Sequence, residues 1–355
     1  MFCLVLLLQL LSLSCMPMHE EIIELPSQPP AVVVHVFVHG TLIPGLSKEF
    51  LMRNQIMLED GLVEISEESL QLWHQNKLPR SLQRRAAIHI TAAYDHFVEK
   101  DGIINKYYVY SWAGILDNAY RQQEANKLYH QLAQLRDRLL KQYPQSSIKF
   151  ILHGHSHGGN VILYLAYYEN LYKQHLPISV ACLLATPIQQ ETIQYVKNPL
   201  FETIIILYSD GDYIQNNDCF SSKKSYRRFS DLISLADAKN NIYEICACAC
   251  QKNTAFGHAG FFWLFPHTLI RIHRGKRSHH QTLITLSPLP LIIFTPPLFK
   301  LLRQLPPEHG LIKWCLEADA KKCFFTLMYN QGYAISEDML ERVSNIKQTI
   351  KKNWK

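Results

Sequence analysis

At 355 residues, 48% of them hydrophobic and 19% charged, the chain can bury a full-sized core, which excludes a disordered or low-complexity protein. The formal net charge of +6 comes from scattered Lys and Arg, densest from Arg271 to Arg277 and from Lys347 to Lys355. No aromatic residues are interleaved with those charges for base stacking, so nucleic acid is not expected as a partner, while the basic tail leaves contact with a membrane surface open.

Residues 1–15 contain the apolar run Leu4 to Leu11, too short to span a bilayer and similar to the core of a secretory signal. Ser12-Leu13-Ser14-Cys15 loosely matches a lipoprotein box, although no Lys or Arg precedes the run; the expectation is export or membrane association, with a cytoplasmic location still open. The remainder, residues 16–355, reads as a single domain. Apolar segments predict strands at Val32 to Val38, Tyr107 to Trp112, Ile148 to His153, Ile178 to Leu184, Thr203 to Tyr208 and Leu269 to His273. The stretches between most of them read as crossover helices, the pattern of an α/β fold with a mostly parallel sheet flanked by helices. The clearest helix carries Ala125, Leu128, Leu132, Leu135 and Leu139 on one stripe and stops at Pro144.

Two stretches interrupt this rhythm. Residues 48–105 exceed any simple crossover and contain a helix-like segment from Ser81 to Glu99, which could form a cap over a site. Residues 214–267 form a second expected insertion, with dense aromatics around His258 and the cluster Cys246, Cys248 and Cys250. Alternate cysteines could hold a soft metal, but no second pair at zinc-site spacing follows, so they read first as small apolar residues, and neither metal nor cofactor is expected. The proline-rich segment from Ser287 to Pro307 is expected to wrap the body, and a final helix starts near Ser336.

The most informative motif is Gly154-His155-Ser156-His157-Gly158, followed by Gly159. An apolar strand precedes it and a helix-like run from Asn160 to Ala166 follows, so Ser156 is placed on a sharp strand-to-helix turn where glycines permit close backbone approach. A nucleophilic serine needs a base, a carboxylate that orients the base, and donors for an oxyanion. Ser209-Asp210-Gly211-Asp212 follows the strand ending at Tyr208 and supplies two acids. Asp212 is preferred because it follows the glycine that turns the chain, and Asp210 is the alternate. For the base, His280 comes first, His279 second and His258 third. His155 and His157 flank the serine and are expected to point elsewhere. Oxyanion donors are expected from the backbone N–H of His157 and from Thr41, in His39-Gly40-Thr41 at the end of the first strand.

Together Val36 to Thr41, Tyr110 to Gly114 with Arg121 and Ala125, His153 to Val161, and Asp212 to Gln215 resemble the motifs of bacterial lipase-like α/β-hydrolases. The resemblance covers about Val32 to Gln215 and implies an α/β-hydrolase fold, a Ser156 nucleophile, donors at Thr41 and His157, and no metal or organic cofactor. It implies a serine esterase or lipase that cleaves a small-molecule ester or lipid through an acyl-enzyme. An acyltransferase, thioesterase or amidase would use the same residues, and a catalytically silent binding protein would keep the fold alone. The C-terminal third matches no motif of this kind, and the oligomeric state is not legible.

Overall fold

The computed structural model describes residues 30–40, 60–82, 86–210, 212, 215, 225–249, 291–303, 312–318, 325–329, 331–333 and 337–353. In chain order these form β1 (Ala31–Val38), β2 (Gly61–Ile65), α1 (Glu67–His74), α2 (Ala86–Asp95), β3 (Ile103–Ser111), α3 (Asn118–Gln142), β4 (Ile148–His155) and α4 (His157–Tyr172). There follow β5 (Ile178–Leu184), β6 (Ile188–Gln189), α5 (Gln190–Ile193), β7 (Phe201–Tyr208), β8 (Ser225–Tyr226) and β9 (Asn241–Ala249). The chain continues with α6 (Thr295–Arg303), β10 (Ile312–Ala318), β11 (Phe325–Tyr329), β12 (Gln331–Tyr333) and α7 (Glu337–Asn353).

Ten strands form one sheet in the order β12-β11-β10-β9-β7-β5-β4-β1-β3-β2. The seven from β10 to β3 run parallel, and antiparallel strands close both edges. The parallel strands β4, β5 and β7 read as near-continuous Val, Ile and Leu runs because both of their faces are covered. On one face Val32, Val34, Val36 and Val38 meet Leu128, Leu132 and Leu135 of α3 and Leu163 of α4. The alternate residues Phe37, Ile151, Ile205 and Ile245 face α2, α6 and α7, which contribute Ile88, Phe299 and Ile350 among others. The result is a three-layer α/β arrangement.

The apolar stripe expected in α3 is buried from Ala125 to Leu139, and the helix is capped by Asp117, whose side chain accepts the Tyr120 N–H at 2.7 Å. The five expected strands that fall on described residues are present, shifted at their ends by up to four residues. The sixth, Leu269 to His273, lies outside the described residues. Among the described residues of the segment from Ser81 to Glu99, the helix covers Ala86–Asp95 and the chain turns at His96 and Phe97. Among the described residues, the stretch 48–105 supplies the edge strand β2 and the helices α1 and α2, and α2 packs against a sheet face.

A larger difference lies in the stretch 214–267, where Asn241–Ala249 is an interior sheet strand between β7 and β10. Its sequence hides this, because Glu244 sits mid-strand and Cys and Ala lower the apolar signal. Glu244 is wholly buried and accepts the Ser230 N–H at 2.8 Å and the Ser230 hydroxyl at 2.7 Å. Burial raises its carboxyl pKa. No helix among the described residues is long and apolar enough to cross a membrane.

Candidate active site at the strand-to-helix turn

Strand order reverses around β1: it pairs with β3 on one side and with β4 on the other. Open parallel sheets form a crevice at such a point, outside the carboxyl ends of the strands. Val38, at the end of β1, is in register with Gly154 near the end of β4, so the loop from β1 and the turn from β4 leave the sheet side by side. Ser156 stands at that place.

The backbone of Ser156 has φ 52° and ψ −130°, a region that a residue with a side chain occupies only when its surroundings force it, at a cost of about 1–3 kcal/mol. The forcing contacts are visible. Ser156 N donates to the Leu184 carbonyl at 2.8 Å, and its own carbonyl accepts from Gly159 N at 3.0 Å. Four glycines allow the turn to close. A Cβ on Gly154 would lie 2.6 Å from the Gly159 Cα, one on Gly158 would lie 2.4 Å from the Val38 carbonyl oxygen, and one on Gly159 would lie 2.0 Å from Thr186 Oγ1. From the loop after β1, a Cβ on Gly40 would lie 2.5 Å from the Ser156 Cβ. The pattern of glycines is therefore a packing requirement of the turn.

His157 opens the 16-residue helix α4, so its N–H lies at the positive end of the helix dipole. The His157 ring is buried, with Nδ1 3.4 Å from the Asn160 amide nitrogen. His155 is likewise buried, its Nδ1 3.3 Å from where a Gly40 Cβ would sit. The loop after β1 is braced by Trp112: its backbone N–H donates to His39 Nε2 at 3.1 Å and its indole N–H to the His39 carbonyl at 2.7 Å. With Nε2 accepting, Nδ1 of His39 carries the proton and donates to the Gly40 carbonyl at 2.6 Å. Thr41, the next residue, lies outside the described residues.

The two candidate acids occupy different environments. Asp210 is exposed and pairs with Arg227 at 3.3 Å, and the half-buried Cys246 of β9 donates weakly to it at 4.0 Å. Asp212 is fully buried. Its N–H closes a turn onto the Ser209 carbonyl at 3.2 Å, and its Oδ1 accepts the Gln215 N–H at 3.0 Å. Gln215 in turn donates through Nε2 to the Thr186 carbonyl at 2.7 Å, and Thr186 Oγ1 and its methyl are the atoms that crowd Gly159. One chain of contacts thus runs from the Asp212 turn to the serine turn. Thr186 and Gln215 were not assigned this linking role from sequence; the signal was slight, a Thr-Pro pair ending an apolar strand.

His258, His279 and His280 lie outside the described residues, all on the connection that leaves β9. Strand β9 is parallel to β7 with Cys246 opposite Tyr208, so that connection begins beside the Ser209–Asp212 turn. Among the described residues no three His, Cys, Asp or Glu side chains converge as metal ligands. No known family's sequence profile matches the chain, and no curated protein sequence matches it significantly.

Proposed function

We propose that the protein is a serine hydrolase of the α/β-hydrolase kind that cleaves carboxylic esters, as an esterase or lipase, through an acyl-enzyme. The observation that carries this reading is the strained backbone of Ser156 at the switch point of the sheet, with Gly40 and the first turn of α4 closed around it. Strain of this kind persists where the surroundings over-determine it, and it is concentrated at reacting groups.

In this reading Ser156 Oγ attacks the ester carbonyl and its proton passes to a histidine. The tetrahedral oxyanion takes the N–H of His157 and that of Thr41. Collapse expels the alcohol, which receives the proton from the imidazolium; water, activated by the same histidine, then frees the acid. Asp212 orients the imidazole, since a wholly buried carboxylate suits that task better than Asp210, which is exposed and paired with Arg227. For the base, the position of β9 favours His258, the first histidine after Ala249, over His280 and His279.

The test is active-site labelling. A fluorophosphonate probe should modify Ser156 alone, and Ser156→Ala should abolish both labelling and hydrolysis of a short p-nitrophenyl ester. Full labelling of Ser156→Ala would sink the assignment. Transfer to an added alcohol in preference to water would move the reading to an acyltransferase with the same residues.

A further inference from the structure

A cavity of about 230 Å³ lies on the sheet face covered by α2, α6 and α7. Its inner wall is apolar, made by Val33, Ile103 and Ile151 from three strands and by Phe97, Val98 and Phe299 from the layer above. Its rim carries Lys300 and Arg303 of α6 and Arg342 of α7. Among the described lining residues Glu99 is the one carboxylate, set against the three cations Lys300, Arg303 and Arg342. Lys300 and Arg303 are three residues apart on α6 and therefore share a helix face.

The polar groups at the base of the cavity are already committed to one another. Asn105 Nδ2 donates to the Glu99 carbonyl at 2.8 Å, which leaves Oδ1 to accept from His35 Nε2 at 3.0 Å. Nδ1 of His35 is then an acceptor and takes the Tyr94 hydroxyl at 3.0 Å, and the Tyr94 oxygen accepts from His153 Nε2 at 3.1 Å. This chain of bonds holds β1, β3, β4 and α2 together and leaves recognition to the apolar wall and the cationic rim.

We propose that this cavity binds a small amphipathic anion, a short aliphatic carboxylate with its tail against Val33, Ile103 and Ile151 and its charge at Lys300, Arg303 and Arg342. The cavity is smaller than the roughly 300–1,000 Å³ of sites for drug-sized ligands, which limits the tail to a short chain. It is separate from the serine turn: Ile151 stands five residues before Ser156 on an extended strand, a separation of about 16 Å. The inference therefore does not depend on the proposed reaction.

Hexanoate is the probe, titrated calorimetrically into the full chain, with 1-hexanol and acetate as controls that each carry one half of its chemistry. Hexanoate should bind saturably, at least tenfold tighter than either control and more weakly as salt rises. The double variant K300Q/R303Q, altered only at exposed positions, should lose about tenfold in affinity, and Ile103→Phe, which fills the cavity, should lose binding. Equal affinity for hexanol, absence of saturable binding, or unchanged affinity in both variants would overturn the proposal. The last result would put hexanoate elsewhere, including at the serine turn.

Discussion

Gly158→Ala separates helix propensity from packing at the serine turn. Gly158 is the second residue of α4 and has an ordinary negative φ, so propensity alone favours alanine by up to about 1 kcal/mol. Packing opposes it. The added Cβ would lie 2.4 Å from the Val38 carbonyl oxygen and 2.5 Å from that of His39, both backbone atoms of the braced end of β1. To regain ~3.5 Å of contact one side must retreat by roughly 1 Å, and neither has a flexible side chain to yield. Overpacking of this kind costs about 1–3 kcal/mol and exceeds the propensity gain, so the variant should be less stable by about 1–2 kcal/mol in urea unfolding. The same retreat shifts Gly40 relative to Ser156, and a misplacement of about 1 Å can lower turnover some 10²-fold, which p-nitrophenyl ester hydrolysis would read. A Gly158→Ala protein as stable as the parent would refute the crowding argument.

Asp212→Asn should lower esterase turnover by roughly 10⁴-fold, as loss of an orienting carboxylate does in a serine protease, and Asp210→Asn should change it little; equal effects would remove Asp212 from the triad. Alanine replacements of the three histidines, with circular dichroism to confirm folding, should leave His258→Ala inactive; an inactive His280→Ala with an active His258→Ala would return the base to the later position. Burial holds the pKa of His35 down at about 4 and that of His153 well below its ordinary value, so both are neutral when folded. The unfolded chain then takes up protons first: their contribution to stability is complete above pH ~6.5 and is lost as pH falls toward 4, by about 3 kcal/mol for His35. Urea unfolding at pH 7.5 and 5 should show about 2 kcal/mol of that loss for His35, and His35→Gln should flatten it; an identical pH slope in the variant would contradict the burial argument. Asp95 behaves as a carboxylate held low: burial pushes it up, but bonds from His74, Lys100 and Tyr107 outweigh that, so Asp95→Asn should reduce the loss of stability below about pH 4.

The sequence by itself determined the parts whose signals are local. A buried strand reads as a run of Val, Ile and Leu whatever its neighbours, so β1, β4, β5 and β7 are legible, as is the 25-residue α3 through its apolar stripe. The glycines around Ser156 are legible for the same reason, since a tight turn imposes its requirement on the residues that make it.

Tertiary structure decided what depends on partners distant in the chain. Glu244 marks Asn241–Ala249 as a poor strand until Ser230 is found donating to its carboxylate, and only then does β9 take its place beside β7. Asp210 and Asp212 are two acids of one turn in the sequence; burial on one side and Arg227 on the other separate them in the fold. Gly159 needs its hydrogen because Thr186 approaches from another strand end, and Lys300, Arg303 and Arg342 share a cavity rim because α6 and α7 cover the same sheet face. Each of these depends on contact between residues far apart in sequence, and such contacts carry no local periodicity to read.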